Sequence, residues 1–185
     1  MAKYASLVAA YSLPAALVWA AVGFLLNVIP LNRAALLIIV VYCLFYGFPE
    51  ALGMIGPRPV GSSWQVPQHL VADVSRRRRI LTWGAILGPG FATRNPYAGF
   101  GLLPLVLAAL GHVGLGVATA AAVGIAHGTG RALAVIRDSR SIDAAEYLNV
   151  VLKSMYWRKV DGLVLLVVGS IATTSAISTF LHLRV

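Results

Sequence analysis

Cysteine is nearly absent from this chain, and acidic residues are few. Cys43 is the single cysteine among 185 residues, so the chain cannot form an intrachain disulfide, a Cys-x-x-Cys motif or a thiolate metal cluster. Only six acidic residues stand against fifteen lysines and arginines. His112 and His127 are too far apart for one helix face to chelate an ion, and the apolar runs offer no carboxylates or thiols to complete a site. The sequence therefore predicts no metal site.

Catalytic motifs are lacking as well. The sequence contains no Ser-His-Asp order, no phosphate-binding loop and no pair of carboxylates expected at membrane depth. It therefore indicates no catalytic residue, and no motif identifies a cofactor. The sequence favours a protein that is not an enzyme.

Apolar residues dominate what is present. Hydrophobic residues make up 59% of the chain and charged residues 11%, and the mean hydropathy is +0.82. This composition is typical of an all-α integral membrane protein, in which a span needs about 20 mainly apolar residues. Spans are predicted at residues 5–29, 34–55, 80–110, 111–136 and 162–181. The count is about five crossings, or six if residues 80–110 form a hairpin.

The excess positive charge of +9 is concentrated in a few places. Eleven of the fifteen basic residues are Lys3, residues of the predicted inner loop 57–79, or residues between Arg137 and Lys159. Clustering of basic residues in alternate loops follows the positive-inside rule. It predicts a multi-pass protein of a bacterial-type plasma (inner) membrane with a cytoplasmic amino terminus. It also predicts contact with anionic lipids on the inner face, and argues against nucleic acid as a partner.

The span at residues 80–110 contains helix-breaking residues at Gly88-Pro89-Gly90 and at Asn95-Pro96. Glycine costs about 1 kcal/mol and proline about 3 kcal/mol in a helix interior, so a broken or re-entrant helix is expected near Gly88–Pro96. Interruptions of this kind form binding sites in many transporters. An ordinary external turn between two short spans is the alternative. The candidate cavity-lining residues here are Pro89, Thr93, Arg94, Asn95 and Tyr97.

Three further features lie within or beside the spans. His127 and Arg131 belong to a His-Gly-Thr-Gly-Arg run and are added to the candidate cavity, although an arginine snorkelling to the inner surface is the preferred interpretation. Glu50, near the end of the second span, is interpreted as an interface carboxylate, with a functional acid as the alternative. The hydroxyl groups of the last span are expected to bond within their own helix or to a neighbouring helix.

Residues 141–159 alternate apolar and polar positions at helical spacing. They predict an amphipathic helix on the inner membrane surface, or else a helix that docks a partner protein. The residues predicted to contact a partner are Ile142, Leu148, Leu152, Met155 and Trp157.

The run from Trp83 to Tyr97, followed by Gly128-Thr-Gly-Arg-Ala-Leu133 and preceded by Gln65-Val-Pro67, carries a family resemblance. Over residues 65–136 the chain resembles the DsbD/CcdA-type membrane family of thiol-disulfide electron carriers involved in cytochrome c biogenesis, as a cysteine-poor relative. The resemblance implies the family's fold with a broken-helix cavity. It does not imply the redox reaction, because the residue after Pro96 is Tyr97 and the relay needs two cysteines.

Three hypotheses about function follow. The first is a non-catalytic accessory or scaffold subunit of a larger membrane complex, with other membrane subunits as partners. The second is a small-solute transporter that uses the broken helix; it predicts that Pro89, Thr93, Asn95 and Arg131 line one cavity, and tight packing at Gly88–Gly90 would count against it. The third is a subunit of a redox complex that binds quinone or haem together with partner chains.

Overall fold

The computed structural model describes residues 2–28, 32–54, 74–91, 97–110, 116–138 and 144–181. Six helices account for most of these residues, and no strand occurs among them. The all-helical class is therefore confirmed. The helices are α1 (Ala2–Val28), α2 (Asn32–Ala51), α3 (Arg76–Leu87), α4 (Gly99–Leu110), α5 (Gly116–Asp138) and α6 (Ala144–Leu181).

Three of these helices are long and apolar enough to cross a membrane. The qualifying segments are Tyr4–Val28, Gly116–Arg137 and Lys153–Ser178, and Ala35–Ala51 and Gly99–Leu110 are shorter apolar helices. Large apolar side chains on these helices face outward, as Leu17 and Ile171 do. Such a surface suits hydrocarbon rather than water. The structure thus supports a membrane protein with transmembrane helices.

The helices α1 and α5 form an antiparallel pair held together by small residues. Gly23, late in α1, approaches Ala120, early in α5, whereas Gly128, late in α5, lies against the backbone of Tyr11 in α1. Side chains at these glycines would collide with the opposite helix. Small residues allow such close approach within a bilayer, as the Gly- and Ala-rich sequence of α5 suggests.

The helices α2 and α6 form a second antiparallel pair, and α4 lies between the two pairs. Gly169 of α6 lies against Cys43 of α2, and Gly162 lies against the backbone of Glu50. Leu102 of α4 joins a buried cluster with Leu165 of α6 and with residues of α2. The helix α4 also contacts α1 and α5, so it connects both pairs.

The interrupted segment, residues 76–110, runs along α1. Gly84 lies against Ala10, and Gly88 against Tyr11, one residue further along α1. Beyond the interruption, Phe100 contacts Trp19, still further along α1. The helix α3 ends at Leu87 and α4 begins at Gly99, which confirms that no continuous helix passes through Gly88-Pro89-Gly90. The helices α3 and α4 both run in the direction of α1.

Two helix boundaries differ from the sequence prediction. The helix α3 begins at Arg76 instead of residue 80, because the Ser75 hydroxyl accepts a hydrogen bond from the Arg78 backbone N–H (3.4 Å) and caps the helix. The arginine run is therefore the first turn of α3 and not the end of a loop. The predicted surface helix 141–159 and the predicted span 162–181 join in the single helix α6, since no proline separates them.

We expect Gly128→Ala to destabilise the α1–α5 pair, whereas Gly130→Ala should not. Both substitutions gain the same helix propensity, but a Cβ at Gly128 would meet the backbone of Tyr11 and Ser12, and a Cβ at Gly130 would meet nothing within 4 Å. Overpacking of this kind costs about 1–3 kcal/mol. Unfolding in mild detergent should show the difference, and equal stabilities would contradict the proposed packing.

Candidate functional site

The first end of the interruption, at Gly88–Gly90, is packed against protein. All three residues are buried, and Gly88 lies against the backbone of Tyr11. Gly90 has φ +86°, a conformation that favours glycine, and a Cβ there would collide with His127 Nε2. The Trp19 indole N–H donates to the Pro89 carbonyl oxygen at 3.1 Å.

An aromatic cluster, formed by Trp19, Phe91 and Phe100, surrounds this end. Ring centroids are 4.8 Å apart for Trp19 and Phe91, 5.6 Å for Trp19 and Phe100, and 5.7 Å for Phe91 and Phe100. Trp19 is fully buried. The bulk of these rings occupies the space beside Gly88–Gly90, which counts against a solute site at this end of the interruption.

His127 and Arg131 are close to the same end. His127 packs on Phe100 with ring centroids 4.9 Å apart, and Arg131 Nε donates to His127 Nε2 at 3.3 Å. Arg131 is half-buried and lines a cleft of about 230 Å³ with Tyr11 and Leu87. This arginine is therefore bonded within the protein instead of extending freely to the surface. Thr93, Arg94 and Asn95 lie outside the described residues.

The second end of the interruption is polar. The Gly99 backbone N–H donates to Asp161 Oδ2 at 2.8 Å, and the Tyr42 hydroxyl donates to the Ala98 carbonyl oxygen at 2.7 Å. A helix start leaves backbone N–H groups without intrahelical partners, and Asp161 of α6 satisfies one of them across the helix interface. Tyr97 and Asp161 line a cleft of about 410 Å³ together with Trp157.

Glu50 completes this polar end, one residue before the end of α2, and its interpretation as an interface carboxylate stays a prediction. It is 3% exposed, and its Oε1 pairs with Arg158 Nη2 at 3.4 Å. Its Oε2 is buried without a hydrogen-bond donor among the described residues. The carboxyl of Asp161 neighbours that of Glu50, and Gly162, the residue after Asp161, lies against Glu50. We call Glu50, Arg158 and Asp161 the acidic site.

Asp161 lies inside the bundle, whereas Glu50 is one residue before the end of α2 and lines a cleft with the exposed Lys159. Gly99 is bonded to Asp161, and the next residue, Phe100, contacts His127 near the middle of α5. Asp161 is eight positions beyond Lys153, the first residue of its apolar segment, which is about 12 Å along a helix. The expectation that no carboxylates pair at membrane depth stays a prediction.

The sequence did not predict that Glu50 would contact Arg158 and lie near Asp161, because these residues are far apart in the chain. Arg158 and Glu50 are 108 positions apart, so no helical or strand spacing relates them. The available signal was that the apolar segments contain only two acids, Glu50 in Ala35–Ala51 and Asp161 in Lys153–Ser178. Buried ionisable groups in hydrocarbon are costly and usually find each other.

The residues predicted to dock a partner are only partly described. Met155 and Trp157 are 55% and 47% exposed on α6. Ile142 lies outside the described residues, as do the side chains of Leu148 and Leu152. Partner docking by this segment stays a prediction. The hydroxyls of Ser170, Thr173, Thr174 and Ser178 each bond to a carbonyl three or four residues earlier in α6, as expected.

No family model, curated protein or solved structure matches this chain. The resemblance of residues 65–136 to the DsbD/CcdA-type family therefore stays a prediction.

We expect Trp19→Phe to destabilise the protein by about 1–3 kcal/mol, because the Pro89 carbonyl would be buried without a donor. Trp157→Phe is the matched control, since Trp157 is half-exposed on α6 and should change stability by about 0.5 kcal/mol or less. Denaturant unfolding in detergent measures both. Equal losses would show that the indole bond does not stabilise the interruption.

Proposed function

We propose that the protein is a membrane carrier for a small cationic solute, with its site at the second end of the interruption. The observation that carries this proposal is the buried carboxyl of Glu50 beside that of Asp161, where α4 resumes. Ionisable groups at such depth are costly to maintain and typically mark ion or solute pathways. Interrupted helices supply binding sites in many transporters.

The cleft beside Asp161 supports a cation as the solute. Its lining combines a carboxylate with the rings of Tyr97 and Trp157, and its volume is about 410 Å³. An ammonium group is attracted both to a carboxylate and to the faces of aromatic rings, with tryptophan the strongest. Two carboxyl groups lie beside the one guanidinium of Arg158, so the acidic site can accept one further positive charge. We therefore propose small organic ammonium compounds as the substrate class.

We further propose that residues 76–110 form a single interrupted crossing, which gives five crossings in all. The directions of α1 to α6 support this count, because each helix or interrupted segment reverses the direction of the one before it. The same directions bring Lys3, the start of α3, Arg137 and the start of α6 to one end of the bundle. Under the positive-inside rule, that end faces the cytoplasm of a bacterial-type plasma membrane.

Cysteine labelling tests this orientation. In a Cys43→Ala background, Arg77→Cys and Lys153→Cys should react with an impermeant thiol reagent from the same side, and Val28→Cys from the other side. All three positions are exposed, so access does not limit the reaction. Labelling of Arg77→Cys and Lys153→Cys from opposite sides would exclude the arrangement.

Uptake into proteoliposomes tests the transport proposal. We expect uptake of one or more of methylammonium, choline and putrescine, and a decrease of about tenfold or more in apparent affinity for Asp161→Asn, because the charge that pairs with the ammonium group is lost. Asparagine keeps an oxygen that can accept from Gly99, so the start of α4 should survive this change.

Ser170→Ala is the control for uptake, because Ser170 is exposed on the same helix and its hydroxyl bonds to Leu166. It should transport as the unchanged protein does. Failure of the folded protein to take up any of the three compounds, or full uptake by Asp161→Asn, would exclude a cation carrier of this kind.

The accessory-subunit and redox-subunit hypotheses stay predictions. The first depends on residues 141–159, most of which carry no described side-chain contact. The second would need a group for quinone or haem, and the described surroundings of His127 consist of Arg131, Phe100 and Gly90. Neither gains a specific supporting observation comparable to the acidic site.

A further inference from the structure

Glu50 Oε2 lacks a hydrogen-bond donor for a specific reason. It is a fully buried atom, and its polar neighbour is another carboxyl, that of Asp161. Ionised carboxylates only accept hydrogen bonds, so two of them cannot satisfy each other. A buried acceptor without a donor costs about 1–3 kcal/mol, and more when it is charged. One proton placed between the two oxygens would remove this cost.

Two donors near the pair, among the residues that the structure describes, make bonds that do not reach Glu50 Oε2. The Gly99 N–H donates to Asp161 Oδ2, and the single proton of the Tyr42 hydroxyl is donated to the Ala98 carbonyl. Neither bond supplies a donor to Glu50 Oε2.

The positive charges nearby do not neutralise both carboxyls. Arg158 is paired with Glu50 Oε1 at 3.4 Å. Lys159 lines the same cleft of about 220 Å³ as Glu50, but it is exposed, and its charge is screened by solvent. Two carboxylates and one guanidinium would leave one uncompensated negative charge in an apolar region.

We infer that Glu50 and Asp161 share a single proton in the solute-free protein, and that a cation bound at Asp161 releases it. The inference deepens the proposed function, on which its second half rests, because Asp161 belongs to both the proton site and the solute cleft. Glu50 is 3% exposed and its Oε2 has no donor among the described residues, so a proton between this oxygen and Asp161 removes an unpaired buried charge.

The exchange balances in charge and atoms. When an ammonium group binds at Asp161, the carboxyl O–H bond breaks and the proton passes to solvent. Before this step the site holds the proton in addition to the charge of Arg158, and after it the site holds the ammonium group in place of the proton. The total charge of the site is therefore unchanged. Proton and solute thus compete for one place, which makes the carrier a cation–proton exchanger.

Difference infrared spectroscopy of the full-length protein in lipid, without solute, tests the shared proton. We expect the carbonyl band of a protonated carboxylic acid at neutral pH, shifted by deuterium oxide. Both Glu50→Gln and Asp161→Asn should abolish the band, because each leaves a single carboxylate that no longer needs the proton. Glu146→Gln, an acid outside the apolar segments, should leave the band unchanged.

Two outcomes would overturn the inference. Absence of the band in the unchanged protein would show that both carboxyls are ionised, and this measurement does not depend on whether any variant folds. Persistence of the band in Asp161→Asn would assign the proton to Glu50 alone. The spectra are recorded without solute and are therefore independent of transport. If the band is present but no ammonium compound is taken up, the transport proposal is wrong and the shared proton is still supported.

Discussion

Hydrocarbon offers no hydrogen-bond partner to a freed backbone group, and this constraint governs how residues 76–110 are built. At one end of the interruption, the Pro89 carbonyl is bonded to the indole of Trp19 in α1. At the other end, the N–H of Gly99 is bonded to Asp161 in α6. Because each end is completed by a different helix, the interruption holds α3 along α1 and α4 between the two helix pairs.

At the two ends of the interruption, the freed backbone groups bond to side chains of different chemistry. The indole is neutral, so its bond to Pro89 can be surrounded by the rings of Phe91 and Phe100 without further cost. A carboxylate carries charge, so its use at Gly99 requires more polar groups nearby. Arg158, which is partly exposed, and the buried Glu50 are those groups. The second end therefore provides the carboxyl groups that a proton or a cation would bind.

The sequence predicted the parts of this arrangement that depend on local rules. Gly88-Pro89-Gly90 excludes a continuous helix wherever it occurs, and small residues in α5 indicate close packing. The contact of Glu50 with Arg158 is set by the tertiary arrangement of α2 and α6, so no local pattern contains it. The prediction that a surface helix ends at residue 159 and a separate span begins at residue 162 was wrong for a similar reason. Aromatic and basic residues indicate a membrane interface, but they do not end a helix.

The helix α4 connects the acidic site to both helix pairs, so a change at that site can alter how the pairs pack. This helix contacts α1 and α5 on one side and α2 and α6 on the other. Its first residues are held by Tyr42 from α2 and by Asp161 from α6. If the proton on the acidic pair is exchanged for a cation, the charge on the partner of Gly99 is redistributed at the junction of the two pairs. A change in the hydrogen bond at Gly99 would then alter how α4 connects them, which is the kind of coupling between binding and helix packing that alternating access requires.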